Sequence, residues 1–130
     1  NALLFSGDTL FHLGCGRLFE GTFEQMYTSL QKINNLPDET LVYCGHEYTM
    51  NNLNFLESVF EEIIKLKKLR TKIEKKINMS SRTIPFFLGE EKNINPFLNQ
   101  SSYIFESFKK NNNLSNFEMF KFIREKKDDF

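Results

Sequence analysis

The apolar and polar positions divide the chain into an α/β first part and a helical remainder. Ala2-Leu3-Leu4-Phe5-Ser6 is a short apolar run closed by Gly7 and reads as a buried strand. Residues 9–21 hold three glycines and read as a structured loop. Thr22-Phe23-Glu24-Gln25 is a capping box, which predicts a helix with Phe23, Met26, Tyr27, Leu30 and Ile33 facing inward. Asn34-Asn35 and Pro37-Asp38 stop that helix, and residues 40–44 read as a second strand. Strand, helix, strand in this order predicts an α/β layer with one crossover unit.

From His46 to Thr83 there is neither Gly nor Pro. Met50, Leu53, Leu56, Phe60, Ile63, Ile64, Leu66, Leu69, Ile73 and Ile77 recur near helical spacing, so this stretch predicts one long helix or two abutting ones. Residues 80–114 carry Pro85, Gly89, Pro96 and Asn111-Asn112-Asn113 and read as irregular; Tyr103, Ile104, Phe105 and Phe108 fit one helical turn or a short strand. Ser115-Asn116-Phe117-Glu118 is a second capping box. It opens a final helix with Phe117, Phe120 and Ile123 inward and Lys121, Arg124 and Lys127, three apart, on one face.

Charge narrows the classes of function. The 130 residues carry 17 basic and 17 acidic side chains, so no general attraction to nucleic acid is expected. Seven of the twelve residues from Lys65 to Lys76 are Lys or Arg, but without interleaved aromatics they read as a solvated helix face, with neither nucleic acid nor membrane as partner. No apolar run approaches the ~20 residues that span a bilayer. Cys15 and Cys44 show no metal-finger spacing, which predicts a reducing compartment, cytoplasmic or organellar. The first residues already read as mid-domain strand, so the chain is expected to be a piece of a longer protein.

Both predicted strands end in the same way. Gly7 is followed by Asp8 and Gly45 by His46, each polar side chain delivered from a strand end, as metal ligands often are. A turn-forming Asp and a hydrogen-bonded core His fit the same positions. Between them Gly14-Cys15-Gly16-Arg17 is a glycine-spaced loop with one cation, and His12 reads as a loop residue.

The wording of these segments adds more. Ser6-Gly7-Asp8-Thr9-Leu10-Phe11, Gly14-Cys15-Gly16-Arg17 and Tyr43-Cys44-Gly45-His46-Glu47-Tyr48-Thr49 closely resemble glyoxalase II, the hydroxyacylglutathione hydrolase family of the metallo-β-lactamase superfamily. The similarity continues into Asn51-Asn52-Leu53, Asn95-Pro96-Phe97 and the segment from Arg124 to Phe130. It implies an α/β fold for residues 1–50, the second half of an αββα sandwich. It implies a mostly α-helical, glutathione-binding C-terminal domain for 51–130. It implies that Asp8 and His46 ligate two divalent metals (zinc, iron or manganese), with Asp8 bridging them. A hydroxide between the metals would then hydrolyse a glutathione thioester of a 2-hydroxy acid, such as S-lactoylglutathione. Arg17, Phe19, Tyr48, Arg124 and Lys127 match substrate-contacting positions, the last two as a grip on a glycine carboxylate. Read without the resemblance, Arg124 and Lys127 fit a solvated helix end better than a ligand grip.

Three departures from the family pattern stand out. Phe19 replaces a common Tyr. Phe60-Glu61-Glu62-Ile63 replaces a helix-breaking Pro segment, so the helix is expected to run on. The Thr-His-x-His-x-Asp-His motif is absent, and His12 and His46 are the only histidines. The ligand set is therefore incomplete here, and the resemblance implies an N-terminal half that supplies the rest and pairs the half-sheet. Alone, the chain is expected to be inactive and to aggregate or swap through that sheet. Two further readings are an iron persulfide dioxygenase and a non-catalytic module that binds glutathione conjugates.

Overall fold

Leu3–Gly7 (β1) and Leu41–Cys44 (β4) lie side by side and parallel, joined through the helix Phe23–Asn34 (α1) as the crossover. The computed structural model describes residues 2–18 and 21–130. The α1 capping box forms as the sequence predicts: Gln25 N–H donates to Thr22 Oγ1 at 3.1 Å, and Thr22 N–H to Gln25 Oε1 at 2.8 Å. Of its inward residues Leu30 is fully buried; Phe23, Met26, Tyr27 and Ile33 pack half-buried on the core.

The structured loop read after β1 contains two short strands. Leu10–Phe11 (β2) and Gly14–Cys15 (β3) form a two-rung antiparallel hairpin. Two-residue strands leave no periodicity for a sequence reading to detect. Leu10, Phe11, Leu13 and Cys15 are all buried, so the hairpin belongs to the core.

The long apolar-periodic stretch resolves into two helices, Thr49–Val59 (α2) and Ile64–Ser80 (α3). The expectation of a helix continuing through residues 60–63 is corrected. Phe60 leaves the helix with φ −116° and ψ 53°. Its ring is buried against Phe105 at 4.9 Å and Phe108 at 4.8 Å, and Ile63 N–H closes a turn onto Phe60 O at 3.1 Å. Aromatic burial, not a proline, makes this break. Helix α3 buries Leu66 and Ile73 and turns most of its lysines to solvent; Arg70 forks onto Glu57.

The segment read as irregular also holds structure. Phe86–Phe87 (β5) pairs antiparallel with β4, giving the sheet order β1-β4-β5. Leu88–Ile94 (α4) follows at once, tied down by Leu88 N–H to Thr40 O and Gly89 N–H to Asp38 O, both 2.9 Å. Tyr103–Phe105 is a 3₁₀ turn, the helical alternative at that place, and leads into Glu106–Asn111 (α5). The second capping box opens Asn116–Asp128 (α6), where Met119 is buried alongside Phe120 and Ile123, and Phe117 is half-buried.

The fold is thus mixed α/β and mostly helical. One sheet face packs on the core. On β1 the alternate residues Leu3 and Phe5 stay 57% and 74% exposed, with Phe5 stacked on Tyr43. Parallel sheets are ordinarily covered on both faces.

Candidate functional site

Parallel β1 and β4 end at the same edge of the sheet, the place where α/β folds deliver ligand-binding groups. A register shift between Phe5 and Gly7 brings Gly7 level with Cys44, and Gly45 N–H then donates to Gly7 O at 2.7 Å. Asp8 and His46 consequently emerge together, Asp8 Oδ1 3.4 Å from His46 Nε2, both well exposed. A Cβ on Gly45 would stand 2.7 Å from Asp8 Oδ1, so the close approach of the two strand ends needs glycine there.

The His46 ring stacks on Tyr48, centroids 4.7 Å apart and 6° from parallel, and Phe11 meets Tyr48 edge-on at 5.1 Å. Glu47 fixes the start of this segment by accepting from Thr83 N–H at 2.7 Å. A cavity of about 480 Å³ opens beside them. Asp8, Arg17, His46, Tyr48, Arg124 and Lys127 all line it. Phe19, the seventh position implied by the resemblance, lies outside the described residues. Phe11, Asn51, Asn52 and Phe130 also line the cavity and were not singled out as site residues. Their signal was weak, because an apolar Phe11 reads as core.

The three cations are not alike. Arg124 is 2% exposed, so a solvated helix end does not describe it. Its Nη1 donates to Cys15 O at 2.7 Å and Gly16 O at 3.2 Å, and its Nη2 to Asp128 Oδ1 at 3.1 Å. Arg124 therefore holds the site loop from below. Arg17 is exposed and donates to Asp128 O at 3.0 Å. Lys127 is half-buried, its Nζ 5.6 Å from the Phe55 ring centre. Burial, and then the neighbouring positive charges of Arg124 and Arg17, press its ammonium below the usual lysine range. Lys121, on the same predicted face, lies over Phe23 and does not reach the cavity. Arg17, Arg124 and Lys127 thus concentrate positive charge at one end of the cavity with Asp128 as the nearby acid, a field suited to a carboxylate ligand.

Neither cysteine is set up as a nucleophile. Burial pushes the Cys15 thiol up despite Arg124 beside it, and burial raises Cys44 as well. For a metal, the fit is partial. Two ligands about 2.1 Å from one tetrahedral ion lie roughly 3.4 Å apart, so the oxygen and nitrogen donors of Asp8 and His46 suit a shared ion. Among the described residues no third His, Cys, Asp or Glu joins them in a ligand cluster. None of the described helices is long and apolar enough to cross a membrane.

Comparison with known proteins gives the family. Residues 47–130 match the family model described as hydroxyacylglutathione hydrolase C-terminus. A hydroxyacylglutathione hydrolase from Prochlorococcus marinus strain MIT 9301 is 44% identical over 128 residues, covering 98% of this chain and 46% of that protein. One from Pectobacterium atrosepticum is 44% identical over 129 residues, covering 98% and 51%. One from Nitrosomonas eutropha is 52% identical over 95 residues, covering 73% and 37%. The chain spans about half the length of the first two relatives. With the family model matched over most of its length, this chain belongs to the hydroxyacylglutathione hydrolase family.

Proposed function

We propose that this chain is the C-terminal half of an enzyme that hydrolyses glutathione thioesters of 2-hydroxy acids. The observation that carries the reading is the convergence of Asp8, His46, Arg17, Tyr48 and Lys127 on one cavity. Glutathione carries two carboxylates, and Lys127 and Arg17 are the cations best placed to receive them, since Arg124 already serves the Cys15 and Gly16 carbonyls. Tyr48 and Phe11 form an aromatic wall that orients the substrate and sheds water from it. Asp8 and His46 would hold divalent metal on the wall of the same cavity. Such metal, when bound, supplies Lewis-acid polarisation of the thioester carbonyl and lowers the pKa of water.

The rest of the ligand set belongs to an N-terminal half. Exposed Leu3 and Phe5 on β1 support this, since further strands and a second layer would cover them and complete an αββα sandwich. A second reading, a non-catalytic glutathione-conjugate binding module, draws on the two-residue ligand pair seen here.

The site is tested by joining the N-terminal half of a relative ahead of the chain, so that β1 is covered, and titrating it with S-hexylglutathione, which cannot be hydrolysed, while recording amide resonances. The expected result is saturable binding with the largest shifts at Arg17, Tyr48 and Lys127. Absence of binding, or shifts confined to other surfaces, would contradict the site.

A further inference from the structure

We propose that His12 is a positioning residue: with Glu91 it clamps the hairpin that carries the site loop. The inference rests on the functional reading above, because it concerns the same loop. Glu91 is fully buried and His12 is 7% exposed. His12 Nδ1 and Glu91 Oε1 are 2.6 Å apart, and since a carboxylate can only accept, the ring is assigned the Nδ1–H tautomer that donates to it. Glu91 Oε2 accepts from the Leu13 backbone N–H at 2.6 Å and from Asn95 Nδ2 at 2.9 Å. Asn95 Nδ2 also reaches Phe11 O and Gly14 O, each at 3.2 Å, and Asn52 Nδ2 donates to His12 O at 3.1 Å. Apart from the Asn95–Glu91 bond, which braces α4 against its own C-cap, each contact joins α2, α4 or that cap to the β2–β3 hairpin.

Leu13 shows what the clamp holds. It has φ +65°, a left-handed backbone that is costly for a γ-branched residue and is kept only where surroundings impose it. Its side chain is fully buried, and its N–H points at the Glu91 carboxylate. This turn decides where the chain goes on either side. Thr9 O accepts from Gly16 N–H at 3.1 Å, so Asp8 and Arg17 leave the hairpin at fixed positions on the cavity rim. The imidazole supplies the third donor to Glu91 and so holds the carboxylate where Leu13 needs it. His12 also stacks on Phe86, centroids 4.7 Å apart, so a purely packing role is the competing explanation.

Two variants separate these roles. His12→Asn keeps a donor close to the Nδ1 position and loses the stack; His12→Phe keeps the stack and loses the donor. The readouts are the Gly16 and Arg17 amide resonances and the affinity for S-hexylglutathione, with the thermal midpoint measured alongside. The clamp predicts wild-type amide positions in His12→Asn and displaced ones in His12→Phe, with affinity about tenfold weaker only in the latter, the scale of a lost bond to a charged group. Unmoved amides in His12→Phe, or displaced ones in His12→Asn alone, would overturn it. If His12→Phe does not fold, Glu91→Gln makes the same test, and unmoved Gly16 and Arg17 amides there would overturn the clamp. Failure of the wild-type chain to bind the probe would instead defeat the functional reading, while the amide comparison still judges the clamp.

Discussion

Replacing Gly16 with Ala is expected to destabilise the chain by about 3 kcal/mol, at the upper end of overpacking costs. A Cβ at this position would overlap the Asp8 carbonyl oxygen, a backbone atom that no side-chain rotation can move aside. Gly16 is also committed on both sides: its N–H donates to Thr9 O and its carbonyl accepts from Arg124. The loop must therefore open, and Asp8 moves with it. Gly7→Ala is the control. Gly7 has φ +53° but nothing within 4 Å of a built Cβ, so only the backbone penalty of about 1 kcal/mol applies. Denaturant midpoints of the two variants decide the matter. A Gly16→Ala chain no less stable than Gly7→Ala would mean that the loop is looser than described.

Arg124→Met is expected to cost about 3 kcal/mol of stability, because two buried carbonyls, Cys15 O and Gly16 O, lose their donor. Lys127→Met should behave in the opposite sense. Its ammonium is already disfavoured by burial and by Arg124, so removing the charge leaves stability nearly unchanged. It should instead weaken S-hexylglutathione binding about tenfold, the loss of one charge-assisted contact. Thermal midpoints and calorimetric affinities of the two variants read out this split. Equal behaviour, with both stable and both weak in binding, would restore Arg124 to the role of a simple ligand grip.

That contrast shows how much of the site was legible in the sequence. Spacing in the last helix puts Arg124 and Lys127 near each other, and the motif wording names them together. Neither says that one guanidinium is consumed by backbone carbonyls 108 and 109 positions away in sequence. The capping boxes at Thr22 and Ser115 were readable because all their atoms lie within one turn. The β1–α1–β4 unit was readable because a 3.6-residue period between two apolar runs has few other solutions. The β2–β3 hairpin, β5 and α4 were not, since each is too short to show a period and is held by distant partners such as Thr40 and Asp38. The helix break at Phe60 was missed for a related reason: the aromatic pocket that pulls Phe60 out of register comes from Phe105 and Phe108, more than forty positions on. His12 reads as an unremarked loop residue until Glu91 stands beside it.

The central claim is tested most directly by restoring what this chain is proposed to lack. The N-terminal half of the Pectobacterium atrosepticum relative, 44% identical in the shared region, is joined ahead of these residues and the chimera is loaded with zinc, iron or manganese. Loss of thioester absorbance is then followed with S-lactoylglutathione. The expected result is hydrolysis that releases glutathione and is abolished by Asp8→Asn and by His46→Ala. A folded chimera that binds S-hexylglutathione yet leaves the thioester intact with every metal would contradict it and favour the binding module.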